Sequence, residues 1–141
     1  MPQRPLKILF LCTGNSCRSQ MAEGYANALG ENRIEAKSAG IEAHGKNPRA
    51  ITVMQEDGVD ISMQESTVIT DEMLGWADFL ITVCGHADEN CPVVNTSLER
   101  QHWPFDDPAK AKGNEQEIMQ EFRRVRDSVK QKIVEYLQSV N

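Results

Sequence analysis

A chain of 141 residues, 40% of them hydrophobic, is long enough to bury a core without disulfide staples, and it is read as one domain over residues 1–141. Its formal charge of −6 argues against nucleic acid or an anionic membrane as partner, so any anion site has to be built locally. No apolar run approaches a membrane span, and Met1-Pro2-Gln3-Arg4-Pro5 lacks the apolar core of a signal peptide, so a cytosolic location is expected. In that reducing compartment the four cysteines are expected to be catalytic or metal-binding rather than structural.

The first apolar run, Leu6 to Leu11 interrupted by Lys7, predicts a buried strand. Met21, Ala22, Tyr25, Ala26 and Leu29 fall on one face of a following helix that stops near Gly30. Between them lies Cys12-Thr13-Gly14-Asn15-Ser16-Cys17-Arg18-Ser19, a tight loop from a strand into a helix start. Backbone N–H groups in such a loop, with the partial positive charge of a helix N-terminus, make a cradle for a tetrahedral oxyanion. Gly14 avoids a Cβ clash, Asn15 tolerates a positive φ, and Arg18 supplies a planar fork of donors for a dianion. Cys12 beneath those amides is expected to be a thiolate nucleophile, with Ser19 donating a hydrogen bond to its sulfur.

Arg33 to Ala39 alternates polar and apolar residues and predicts a shorter strand nearer a sheet edge. A loop from Gly40 to Lys46 carries His44, read as a hydrogen-bonding residue or a catalytic base. Pro48 then opens a helix running to Gly58. Met63 to Thr70 carries no periodicity that assigns it. Thr70 or Asp71 caps a short helix through Trp76.

A second strong strand, Asp78 to Val83, ends on Cys84 as the first ends on Cys12. Strands alternating with helices imply a parallel sheet whose ligand crevice lies at the carboxyl ends of the strands. As neighbours about 4.8 Å apart, the two strands would bring Cys12 and Cys84 to one rim, close enough to bond. Cys91 follows after the polar stretch 85–90. A regular helix over 84–91 spans about 10 Å, whereas a disulfide needs Cα atoms within roughly 7 Å, so a Cys84–Cys91 bond requires that stretch to bend or unwind. A short strand, Gln101 to Trp103, leads to Asp107, which Pro108 holds extended at the crevice, where a carboxyl group can protonate a departing oxygen. Asn114 and Glu117 form a capping box for a long amphipathic helix over Ile118 to Val140.

The runs Cys12 to Gly24, Ser38 to Gly45 and Trp103 to Ala109, together with the pair Cys84 and Cys91, resemble the thioredoxin-coupled arsenate reductases of the low-molecular-weight tyrosine phosphatase superfamily. The resemblance implies an α/β fold, a three-layer, four-stranded parallel sheet flanked by helices, and a monomer. It also implies roles. Cys12 attacks arsenate held by the amides and side chains of Thr13, Gly14, Asn15, Ser16, Cys17, Arg18 and Ser19, while Asp107 protonates the leaving oxygen. Cys84 then attacks Cys12, releasing arsenite, and Cys91 attacks Cys84. Thioredoxin reduces the final disulfide, and Cys17 has no required part. Ala109 stands where the phosphatases usually place an aromatic residue, which favours a small inorganic oxyanion and weak phosphatase activity.

Some such reductases hold potassium with side chains matching Asn15, Glu23 and Ser38. Here Gln64-Glu65-Ser66-Thr67 lacks the Thr and Asp that complete that set, so no firm metal site is assigned. No tightly bound cofactor is expected. The competing reading is a low-molecular-weight phosphatase whose extra cysteines protect Cys12 from oxidation. A zinc module is disfavoured because no cysteine pair has the short spacing of a structural site.

Overall fold

Ile8, Leu9, Phe10 and Leu11 are fully buried at the centre of strand β1 (Leu6–Cys12), so their continuous apolar run is that of a strand covered on both faces. The computed structural model describes residues 4–85, 87 and 98–139. In it β1 pairs in parallel with β2 (Ile34–Gly40) on one side and with β3 (Phe79–Thr82) on the other, and β3 pairs with β4 (Glu99–His102). The order β2-β1-β3-β4 makes a four-stranded, wholly parallel sheet flanked by helices. The two strongly apolar strands are neighbours, in the register Leu11↔Thr82.

Helix α1 (Arg18–Leu29) begins at the arginine of the loop, three residues before its apolar pattern does. Its C-cap Gly30 has an ordinary φ of −75°, and the reversal is made by Glu31 and Asn32 at φ 48° and 69°. In α2 (Pro48–Glu56), Pro48 takes the first position, and the Asn47 side chain accepts the Arg49 N–H at 2.9 Å. For α3 (Asp71–Trp76) the cap is Thr70, whose hydroxyl accepts the Met73 N–H at 3.1 Å. The long helix α4 (Glu115–Ser139) is opened by both bonds of the Asn114–Glu117 capping box, at 2.8 and 3.2 Å. It buries Phe122, Val125, Val129, Ile133, Tyr136 and Leu137 against the core. Among the described residues no helix is long and apolar enough to cross a membrane.

Two stretches differ from the sequence expectation. The last strand is Glu99–His102, exposed along its whole length, instead of Gln101 to Trp103. Trp103 extends the pairing through its N–H to Thr82 O (2.7 Å) but turns its ring into the core, 5.9 Å from Phe10 and 5.4 Å from Tyr136. The unassigned stretch after Met63 is an ordered strap: Gly40 donates to Thr67 O and Ile69 to Gly40 O, both at 2.8 Å. It thereby docks on the end of β2, beside the loop that leaves β1. Cys91, and most of the stretch 85–90 that the relay needs to bend, lie outside the described residues.

Candidate oxyanion and thiol site

The loop after β1 owes its shape to carbonyls held from behind. Cys12 O accepts from Ile41 N (3.1 Å), Thr13 O from Glu42 N (2.8 Å), Gly14 O from His44 N (2.9 Å) and Ser16 O from Asn47 N (3.0 Å). In a planar trans peptide the N–H of the next residue points opposite the carbonyl. Residues 41–47 therefore turn the N–H groups of Thr13, Gly14, Asn15 and Cys17 away from themselves, into the concavity of the loop. Two glycines permit the approach. A Cβ on Gly40 would run into Glu42 O and lie 2.9 Å from both Asn15 N and Thr13 O, and one on Gly14 would run into the His44 ring. That ring, hydrogen-bonded to Glu42 at 2.6 Å, packs against the loop as a structural group. Asn15 sits at φ 51°, the left-handed conformation for which Asn is suited.

Arg18, the first residue of α1, folds back over the loop with its side chain 12% exposed. Its Nη1 donates to Phe105 O at 3.2 Å, and its Nη2 lies 3.6 Å from Asp107 Oδ2. Its Nε is buried and has no hydrogen-bond partner among the described residues. A buried cationic donor without an acceptor costs about 1–3 kcal/mol or more, and an anion in the loop would supply that acceptor. Asp107 is fixed by its other oxygen, which accepts the Ala109 N–H at 3.0 Å as the cap of a short 3-10 turn, Pro108–Lys110.

Cys12 and Cys84 meet at the carboxyl ends of β1 and β3, both nearly fully buried, and with Cys17 they are free thiols. Cys84 Sγ shares hydrogen bonds with the Cys12 thiol and with the Thr13 hydroxyl (3.2 Å), and it accepts the Ala87 N–H at 3.4 Å. These contacts hold its pKa below the usual thiol range. The same bond to Cys84, with burial, raises Cys12, against the pull of Arg18 and the Thr13 N–H. Two adjacent thiols share their first ionisation. That shared charge belongs to the Cys12–Cys84 pair at the head of the loop. Ser19 departs from expectation: its Oγ accepts from Asn15 Nδ2 at 2.8 Å, and it braces the loop rather than the sulfur. Burial pushes the Cys17 thiol up to about 11, so it stays protonated.

Ultraviolet thiolate absorbance is therefore expected to persist below the ordinary thiol range and to be lost only as the pH falls through the lowered pKa of the pair. Thr13→Val, which removes the hydroxyl, should move that inflection upward, and Cys84→Ser should leave a single inflection that belongs to Cys12. An inflection that survives in the Cys12→Ser, Cys84→Ser double variant would put the charge on another cysteine.

Asn15, Glu23 and Ser38 do lie together, but not as potassium ligands. Asn15 Oδ1 accepts the Thr67 N–H at 2.8 Å, which turns its NH2 group toward Ser38 Oγ at 2.9 Å. Ser38 in turn donates to Glu23 Oε1 at 2.6 Å. The amide thus offers hydrogens, not an oxygen, to that space, and these residues do not fit the ion. Burial raises the Glu23 pKa, opposed by the Ser38 hydrogen bond and by Lys37 and Lys46.

The description of the low molecular weight phosphotyrosine protein phosphatases fits residues 7–141. The chain belongs to this family. Within it, an arsenate reductase of Halalkalibacterium halodurans is 53% identical over 126 residues, 89% of this chain and 91% of the relative. A solved arsenate reductase in its phosphate-binding state superposes with a TM-score of 0.78 at 33% identity, over 96% of this chain and 99% of that one. A low molecular weight phosphatase from T. tengcongensis shares the fold, with a TM-score of 0.81 at 24% identity over 95% and 99% of the two chains.

In this family frame the structure brings Cys12, Arg18, Cys84 and Asp107 to one rim, around the loop of residues 13–17. Several contributors escaped the sequence reading. The Thr13 hydroxyl serves a cysteine 71 positions away. The strap 41–47 acts through backbone atoms that no residue pattern reveals, and 64–67 acts through the Gln64 and Ser66 side chains as well. Gln20 is polar yet fully buried on a helix, a signal that was there to be read.

Proposed function

We propose that this chain reduces arsenate to arsenite by a relay of three cysteines, and that thioredoxin reduces the product disulfide. The observation that carries the reading is a second thiol, Cys84, hydrogen-bonded to Thr13 and Ala87 and held against Cys12 at the mouth of a phosphatase-type loop. Ester hydrolysis needs no such partner; reduction does.

Arsenate enters the concavity of residues 13–17 and pairs with Arg18. The Cys12 proton passes to Cys84 along their hydrogen bond, and the Cys12 thiolate attacks arsenic. The departing oxygen takes a proton from Asp107 and leaves as water. Arg18 stabilises the charge that develops on the equatorial oxygens, while the loop amides hold those oxygens in the ground and transition states alike. With the proton released from Cys84 to the arsenate oxygens or solvent, its thiolate attacks the Cys12 sulfur. The S–As bond breaks and its electron pair goes to arsenic, which falls from As(V) to As(III) as the two sulfurs are oxidised to a disulfide. Cys91 thiolate then attacks Cys84 and frees Cys12, and a thioredoxin dithiol reduces the Cys84–Cys91 disulfide by exchange.

A second reading keeps a foothold, because Cys12, Arg18 and Asp107 also make up what phosphate-ester cleavage requires, with Cys84 as a protective thiol. Oxidation of NADPH in the presence of arsenate, thioredoxin and thioredoxin reductase, run beside aryl phosphate hydrolysis, separates the two. Arsenate-dependent NADPH loss with feeble hydrolysis is expected. Strong hydrolysis without NADPH loss would return the chain to the phosphatases.

A further inference from the structure

We infer that Gln20 is a positioning residue that aims one amide of the oxyanion loop, and that Gln64 locks it in place. The inference rests on the oxyanion reading above. Four of the carbonyls in residues 12–16 are held by backbone N–H groups of residues 41–47, whereas that of Asn15 accepts from a side chain, Gln20 Nε2, at 3.1 Å. By the planarity of the peptide, the Asn15 carbonyl sets the direction of the Ser16 N–H. Gln20 thus completes the inward ring of donors at the one place the 41–47 strap leaves to a side chain.

The orientation of that side chain is itself determined. Gln20 is fully buried in the first turn of α1. Its Nε2 bridges Asn15 O and Glu65 O (2.9 Å), both acceptors, so the amide nitrogen must face them. Its Oε1 accepts from Gln64 Nε2 at 2.8 Å, and the same Gln64 nitrogen reaches the Gln20 carbonyl at 3.1 Å. The opposite amide rotamer would set two oxygens against the Gln20 Oε1 and two NH2 groups against each other. The neighbouring Ser66 hydroxyl touches Gly14 O at 3.4 Å, and Thr67 N–H holds the Asn15 side chain at 2.8 Å. Residues 64–67 are therefore a second strap behind the loop, fastened through Gln20.

Inorganic phosphate is the probe, titrated by calorimetry into the wild-type protein first. Gln20→Met keeps the volume and removes the donor; Gln64→Met removes the lock. Loss of one aimed N–H toward an anion is expected to weaken phosphate binding about tenfold in Gln20→Met, and roughly threefold in Gln64→Met, where the donor remains but is free to rotate. The arsenate KM should rise in the same proportions with kcat changed less than twofold, because an amide that contacts ground and transition states alike acts on uniform binding. Phosphate affinity unchanged in a folded Gln20→Met protein overturns the inference. Should that variant fail to fold, Gln64→Met decides: the threefold loss supports the inference and an unchanged affinity overturns it. A wild-type protein that binds no phosphate overturns the oxyanion reading itself, and is told apart because it is measured first.

Discussion

Cys84→Ser is expected to reduce multiple turnover of arsenate by at least about 10⁴-fold, to background, while aryl phosphate cleavage does not fall. The bond from Cys12 to Cys84 is the largest influence holding the Cys12 thiol up. Without it, Arg18 and the Thr13 N–H act on Cys12 against burial alone, and the nucleophile ionises more readily. Ester cleavage needs that thiolate and no second sulfur, so at acid pH the variant should cleave aryl phosphate faster than the wild type. Cys12→Ser, by contrast, should abolish both reactions. Cys91→Ser should release one arsenite per chain and stop, retaining a Cys12–Cys84 disulfide that mass spectrometry can detect. If Cys91→Ser cycled normally with thioredoxin, the relay would be wrong; if Cys84→Ser lost ester cleavage, its thiolate would be part of the first step as well.

The parts of the site that are legible in the sequence are those written in local residue types. Cys12, Gly14, Asn15, Arg18 and Ser19 lie within one loop, between an apolar run and an amphipathic helix, and the local chemistry states their purpose. The pairing of β1 with β3 is readable because both runs are continuously apolar and each ends on a cysteine. What the sequence conceals is of another kind. The strap over residues 41–47 works through N–H groups of Ile41, Glu42, His44 and Asn47, and any residue but proline supplies such a group. The stretch 64–67 looks polar and aperiodic because its partners, Gln20, Gly14 and Asn15, are distant in the chain. The coupling of the two thiols is hidden for a related reason. Cys12 has the arginine and the helix start that sequence reasoning notices, but Cys84 has the Thr13 hydroxyl and the Ala87 N–H in addition to the Cys12 thiol itself. That set of contacts is a property of the folded rim and not of the nearest neighbours in sequence.

Arg18→Lys keeps the charge and should still lose about 10²–10³ in kcat/KM for both arsenate reduction and aryl phosphate cleavage, the loss typical of removing a preorganised oxyanion donor. The reason lies in how the guanidinium divides its donors. Nη1 is committed to Phe105 O and Nη2 leans toward Asp107, so the fork is fixed in plane by the loop that also carries the acid. Nε, buried and unpaired, is left for the anion. A lysine has one nitrogen, which can satisfy the Phe105 carbonyl or the anion but not both with that geometry. Stability gives an independent reading. At a phosphate concentration of about 100 times Kd the wild type should gain about 2.7 kcal/mol, on the order of 10 °C in Tm for a chain of this size. Arg18→Met should show almost none of that gain, yet melt near the wild-type temperature without phosphate, because the arginine leaves a buried donor unpaired until the anion arrives. A large loss of anion-free stability in Arg18→Met would mean that the guanidinium works mainly as a strut to the Phe105 loop. A preserved phosphate shift would mean that the loop amides bind the anion alone.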